Sequence, residues 1–192
     1  NTVSFHALYA TASSFEVSQT PKLQDRPLMD RWIISELNIL IQEVDAALED
    51  FDSQIAGRAL ARFIDDLSNW YVRRSRRRFW DGDTAALGTL HECLVTLTKL
   101  LAPLVPFITE QVWQELVRPT DSTSVASVHL ADWPIAQSTA INSELGSQVA
   151  LTRRIVELGH VLVQDATAGS VYVDPQQNFE PIIGGICQVP GE

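Results

Sequence analysis

Cysteine is nearly missing from this sequence: Cys93 and Cys187 stand far apart, each without a neighbouring cysteine. That excludes a CxxC zinc knuckle and points to a reducing, cytoplasmic setting. The four histidines, His6, His91, His129 and His160, include no HExxH or other metal-ligand spacing, so no metal is expected. Gly184 and Gly185 form neither a GxGxxG turn nor a phosphate-binding loop, and no GxSxG elbow is present. Lysine is reduced to Lys22 and Lys99, and methionine to Met29. No apolar run approaches the roughly 20 residues of a membrane helix, so no membrane association is expected. The opening NTVSFHALYA has no basic leader and no initiator Met, so it reads as part of a longer protein rather than as a signal peptide. Nor do the remaining candidate pairs suggest catalysis. Asp65 and Asp66 would diverge by about 100° on a helix, and His91 and Cys93 would not face each other.

What the chain does have is the composition of a folded domain. It is 192 residues long, 45% hydrophobic and 20% charged, enough for one sizeable core in one or two domains. The formal net charge of -10 argues at first against a nucleic-acid partner. The charge is unevenly spread, however. Between Arg58 and Arg78 lie seven arginines and two acids, Asp65 and Asp66. Such a stripe is either a solvated helix face or a phosphate-binding surface on an otherwise acidic body.

Apolar periodicity predicts helices along most of the chain. Residues 1–12 have helical spacing at Phe5, Leu8 and Tyr9, and a polar linker with Pro21 and Pro27 follows. A first strong helix is expected from Asp30, read as its N-cap, to about Asp50, with Ile33, Leu37, Leu40, Ile41, Val44, Leu48 and Phe51 as its stripe. A second is expected from Ser53 to about Trp80, a third from Thr84 to Ala102, a fourth from Pro106 through Phe107, Ile108, Val112, Trp113 and Leu116, and a fifth from Ile141 to Leu162. The segment SVHLADWP reads as extended, and the short β-branched runs VYV and PIIGGICQV close the chain. The fold class is therefore all-α: an antiparallel helical bundle with a short irregular or β-like C-terminal segment. Its core is expected to include Leu37, Leu40, Val44, Phe63, Leu67, Trp70, Leu94, Leu97 and Trp113.

On the second helix, a wheel of about 100° per residue sorts two faces. Ala59, Leu60, Phe63, Ile64, Leu67, Trp70 and Tyr71 gather on one, and Arg58, Arg62, Asn69, Arg73 and Arg76 on the other, with Arg77 flanking. Arg74 and Arg78 fall on the apolar side, where they need carboxylate partners or packed stems. Trp80 falls on the basic side at the helix end, a position suited to stacking or to an interface.

Several strings match a known pattern. DRWIISELN at 30–38 resembles the opening of the anticodon-binding domain in class I aminoacyl-tRNA synthetases for isoleucine, valine and related amino acids. DDLSNWYVRRSRRRFW at 65–80 resembles the isoleucyl branch, because valyl enzymes usually place an acid where Arg73 stands. LAPLVPFITEQVWQEL at 101–116, SVHLADWP at 127–134 and RRIVELG at 153–159 agree in order, and NTVSFHALYA resembles the segment leading out of the catalytic domain. The His-x-Gly-His and Lys-Met-Ser-Lys-Ser signatures of those enzymes are absent. After Gly159 the chain also departs from the family's basic continuation.

The resemblance implies a linker segment at 1–29, an anticodon-binding bundle at 30–162 and a C-terminal extension at 163–192. It implies a non-catalytic, monomeric unit that holds isoleucine tRNA for a catalytic domain of the same parent. ATP would be a cofactor of that parent and not of this unit. On that reading the basic face of the second helix supplies the candidate tRNA contacts: Arg58, Arg62, Arg73, Arg76 and Arg77 for phosphates, with Asn69 and Trp80 for bases. The alternative is a helical module that joins proteins or domains through the same surface.

Overall fold

The structure is a computed structural model and describes residues 1–120 and 123–167. It is all-α, with no strand among the described residues. The β-like runs expected near the C-terminus lie outside them. The chain divides into two compact units, Asn1–Ser147 and Gln148–Glu192. Of the second unit, the described part is the continuation of one helix to Thr167.

The elements are α1 (Thr2–Ala12), α2 (Leu28–Glu49), α3 (Ser53–Asp65), a π-helical stretch (Asp66–Val72), α4 (Arg76–Trp80), α5 (Thr84–Leu101), α6 (Pro106–Val112), a second π-helical stretch (Trp113–Val117) and α7 (Ser143–Thr167). Residues 1–29, expected as a segment and linker, contribute α1 to the first unit. The core forms where α2 packs on α3 and α5, and where α1 and α6 pack on α5. Leu37, Leu40, Val44, Phe63, Leu67, Leu94, Leu97 and Trp113 are all buried in it.

Local chemistry sets the helix ends. The Asp52 carboxylate accepts from the Ile55 amide and opens α3. Gly82 turns the chain at φ +70, and Asp83 then accepts from the amides of Ala85 and Ala86 to open α5. A Cβ on Gly82 would lie 3.1 Å from the Ser13 side chain, so this turn also seats the end of α1. Pro106 stands in the first turn of α6. The 127–134 segment, expected as extended, begins with a short 3-10 turn, Val128–Leu130. The chain beyond it is strapped to α2. Asn38 accepts from the Gln137 amide at 2.7 Å, Ser35 accepts from the Asn142 amide at 2.8 Å, and Trp133 donates to Asp45 at 3.1 Å.

The structure corrects four expectations. Asp30 is not an N-cap: α2 begins at Leu28, and the Asp30 side chain is fully buried. It turns inward because a cation from another helix is waiting there. Phe51 leaves the α2 stripe and is 94% exposed, because the helix stops at Glu49 and Phe51 takes a left-handed φ of 58. Phe107 and Ile108 are exposed at the start of α6 rather than packed. Lastly, the helix expected from Ser53 to Trp80 is not uniform. Its π stretch winds by i→i+5 bonds, about one residue more per turn than an α-helix. A turn at Ser75 then separates α4. A constant wheel fails across that insertion. Trp70 is half-buried rather than core, Arg74 points outward rather than inward, and Leu67, Tyr71, Val72, Ser75 and Phe79 face inward.

Candidate nucleic-acid interface

All seven residues picked out as tRNA contacts, Arg58, Arg62, Asn69, Arg73, Arg76, Arg77 and Trp80, are exposed. They do not form one straight stripe. The π stretch and the Ser75 turn divide them into two groups with different electrostatics.

The first group lies along the groove between α2 and α3. Arg58 and Arg62 line it together with Glu43 and Asp50, and Arg62 forms an ion pair with Glu43. Glu36 lines a second, smaller pocket on the other side of Arg62, together with Asp66. Its carboxyl is raised above the usual range, first by burial and then by the charge of Asp66. The α2 edge is thus acidic and offsets much of the positive charge here. Asn69, within the π stretch, donates its amide to Asp65 at 2.5 Å, leaving its carbonyl as the freer end.

The second group follows the π stretch. Among the described residues Arg73 and Arg76 have no carboxylate within ion-pair distance, and nor does Arg58. Arg77 reaches Asp81 only at 4.0 Å, with both side chains largely in water, a pair of little strength. Arg74, which sequence reasoning placed inside, lies with its guanidinium 4.7 Å from the centre of the Trp70 ring. Four cations therefore gather within five residues, and among the described residues none has a close carboxylate: Arg77 alone reaches one, at 4.0 Å. Arg76, Arg77 and Trp80 share one turn of α4, at i, i+1 and i+4.

Beneath this surface sits a polar pin built on the buried Asp30 carboxylate. Arg78, the last of the seven arginines, points in. Its two terminal nitrogens donate to both carboxylate oxygens of Asp30, and Nε donates to Asp83 at 2.8 Å. The carboxylate partners expected for Arg78 are thus present, and its guanidinium is held protonated chiefly by the hydrogen bond to Asp30. Tyr71 donates to Asp30 at 2.9 Å, and burial pushes its phenol well above the usual range. The pin ties the start of α2 to α4 and α5, and it fixes the turn that presents Arg76, Arg77 and Trp80.

Sequence reasoning also missed Tyr9. Its hydroxyl accepts a hydrogen bond from Trp80 Nε1 at 2.5 Å, across 71 residues of chain. The only available signal was the helical spacing of Phe5, Leu8 and Tyr9, which says that a helix forms but not where it docks. His91 and Cys93 are buried in α5, as a structural role requires, and the Cys93 thiol is raised by burial. Among the described residues no three His, Cys, Asp or Glu side chains gather as a metal-binding group, and no helix is long and apolar enough to cross a membrane.

Residues 30–165 match the family described as anticodon-binding domain of tRNA ligase. The chain is 58% identical to an isoleucine–tRNA ligase of Streptomyces avermitilis over 83% of its length. It is 56% identical to one of Thermobifida fusca over its whole length, and 42% identical to one of Deinococcus radiodurans over 84%. It spans only 15–18% of the length of these three relatives.

Proposed function

The chain belongs to the anticodon-binding domain family of tRNA ligases, and from that premise we propose that it docks the anticodon stem and loop of isoleucine tRNA. The amino acid comes from the relatives, which are isoleucine–tRNA ligases. One observation supports the docking surface best: Arg76 and Arg77 stand exposed one turn before the exposed indole of Trp80 on α4, with the exposed Arg73 just ahead of them in the chain.

The physics of such a surface is direct. Arginines on phosphate oxygens release condensed counterions, which supplies sequence-independent affinity and a steep salt dependence. Aromatic faces and amide groups read bases that leave the stack in a loop. A net charge of -10 on the chain disfavours other polyanions away from the arginine cluster. Arg58 and Arg62, set against Glu43 and Asp50, are the weaker phosphate ligands of the seven, and Asn69 offers its carbonyl to a base edge.

In this reading the domain works as a monomer in the cytoplasm, performs no chemistry and holds the tRNA at a fixed distance from a catalytic part of the parent protein. ATP and aminoacylation belong to that part. A helical bundle suits the task because rigid elements keep binding groups in register with a remote centre. The test is a titration of isoleucine tRNA with this chain across a salt series, together with a nuclease footprint. The expected results are a log–log slope of several units and protection of the anticodon arm. A flat salt response, or protection confined to the acceptor arm, removes the reading and favours a domain-joining module.

A further inference from the structure

Trp80 is 64% exposed, although its neighbour Phe79 is 1% exposed and packed inside. A large aromatic ring left in water forgoes its burial free energy, so something other than packing must hold it in place. Here a hydrogen bond does so. The indole Nε1 donates to the hydroxyl of Tyr9. Tyr9 is itself seated: its ring lies 4.7 Å from Phe5, and Phe5 meets Phe79 edge-on at 5.2 Å. Phe79 in turn packs edge-on against Tyr71, which donates to Asp30. A continuous aromatic file thus runs from the buried polar pin to the surface and ends in an indole tied by its edge. Arg76 and Arg77 lie one turn before it on α4.

We propose that the Trp80 indole is a stacking platform for one unpaired nucleobase, and that Tyr9 is the residue that positions it. The proposal rests on the tRNA-docking reading and adds the class of group bound there: the flat face of a base splayed out of an RNA loop. An edge-tethered indole keeps its ring faces for a ligand while losing rotamer freedom before binding, which lowers the entropic penalty of stacking. The guanidinium groups beside it suit the phosphates that flank such a base. α1 is then part of the binding surface and not only a connection leading to it.

The experiment measures binding of transcribed isoleucine tRNA to the full 192-residue chain for Trp80→Ala, Trp80→Phe, Tyr9→Phe and the Tyr9→Phe/Trp80→Ala pair. Each variant's thermal melt is recorded alongside. Losing one base stack weakens binding by about 5- to 150-fold. Trp80→Ala is expected in that range with an unchanged salt slope, because no phosphate contact is lost. Trp80→Phe retains most of the affinity. Tyr9→Phe produces a smaller loss that disappears in the Trp80→Ala background, a coupling that a merely structural Tyr9 does not show. If Trp80→Ala binds like the parent chain while arginine variants flatten the salt slope, the platform is wrong and tRNA docking stands. A slope change in Trp80→Ala also overturns the platform, since Trp80 would then act through its arginine neighbours. If the parent chain itself does not bind, docking and platform fall together.

Discussion

Arg78 sets its two terminal nitrogens 2.6 and 2.8 Å from the two carboxylate oxygens of Asp30, a side chain with no exposed surface, across 48 residues of sequence. Removing the cation would leave that carboxylate buried and uncompensated, which typically costs about 3–5 kcal/mol. Arg78→Ala is therefore expected to lower the unfolding free energy measured in urea by that amount, and Arg78→Lys by less, since an ammonium cannot reproduce the fork. A shift below about 1 kcal/mol for the alanine variant would mean that water or another cation reaches Asp30.

Leu67 and Arg74 lie seven residues apart on the same broken helix and should behave oppositely. Leu67 is 1% exposed, so Leu67→Ala is expected to destabilise the fold by about 2–5 kcal/mol. Arg74 is exposed and only stacks on Trp70, so Arg74→Ala is expected to cost about 0.5–1 kcal/mol. Equal losses in equilibrium denaturation would show that the π stretch does not turn Arg74 outward.

Gly88 lies inside α5, where alanine normally favours a helix by about 1 kcal/mol. Here a Cβ would fall 2.1 Å from Thr20 Oγ1 and 2.7 Å from Thr20 Cβ, too close for a short branched side chain to evade. Gly88→Ala is expected to be destabilising by about 1–3 kcal/mol despite its propensity. Thr20→Gly should recover most of the loss. Failure of that rescue in a double-mutant cycle would place the strain elsewhere.

Acid should loosen the fold through His6 and His91, whose rings lie 5.4 Å apart between α1 and α5. The pKa of His6 falls from its ordinary 6.5 to about 4, first by burial and then by the neighbouring His91, and burial lowers His91 as well. Both titrate lower folded than unfolded, so the unfolded chain takes up protons first as the pH drops. Their contribution is intact above about pH 6.5 and is lost as the pH falls toward about 4. Glu36, raised by burial, works in the opposite sense, because its protonated form is favoured in the fold. Asp83 loses its stabilising effect only at lower pH. Burial alone would raise its carboxyl, but the Arg78 bond and the capping amides outweigh that and hold it below the usual range. The melting temperature is expected to fall between pH 6.5 and 4 and to fall less in His6→Gln. A parallel decline in that variant would assign the acid sensitivity to other groups.

The arginine cluster makes a separable prediction. Replacing Arg73 and Arg76 together by Ala should weaken tRNA binding and reduce the log–log salt slope by about 1.4–1.8, the release expected for two phosphates. Folding should hardly change, because both side chains are exposed and, among the described residues, without a carboxylate partner. An unfolded double variant would make these arginines structural, and an unchanged slope would move the phosphates elsewhere, for instance to Arg58 and Arg62.

Where neighbours in sequence set the structure, it was legible from sequence. The three- and four-residue spacing of Leu37, Leu40 and Val44 located a buried helix face, and α3 and α5 begin at Ser53 and Thr84, where the pattern placed their starts. The exposed arginines of the candidate site were legible for the same reason, since polar residues at helical spacing face away from apolar ones. Four decisions belonged to tertiary structure. Asp30 chose between capping its own helix and accepting a buried guanidinium from residue 78, and nothing local decides that choice. The extra residue wound into Asp66–Val72 rotated everything after it, so a wheel with one constant angle misplaced Trp70 and Arg74. Phe107 and Ile108 follow helical spacing but stay largely exposed. Trp80 received its place from Tyr9, on a helix that begins the chain. Periodicity reports the angle of a side chain about its own helix axis. It does not report which other helix arrives on that side, and that arrival set the site.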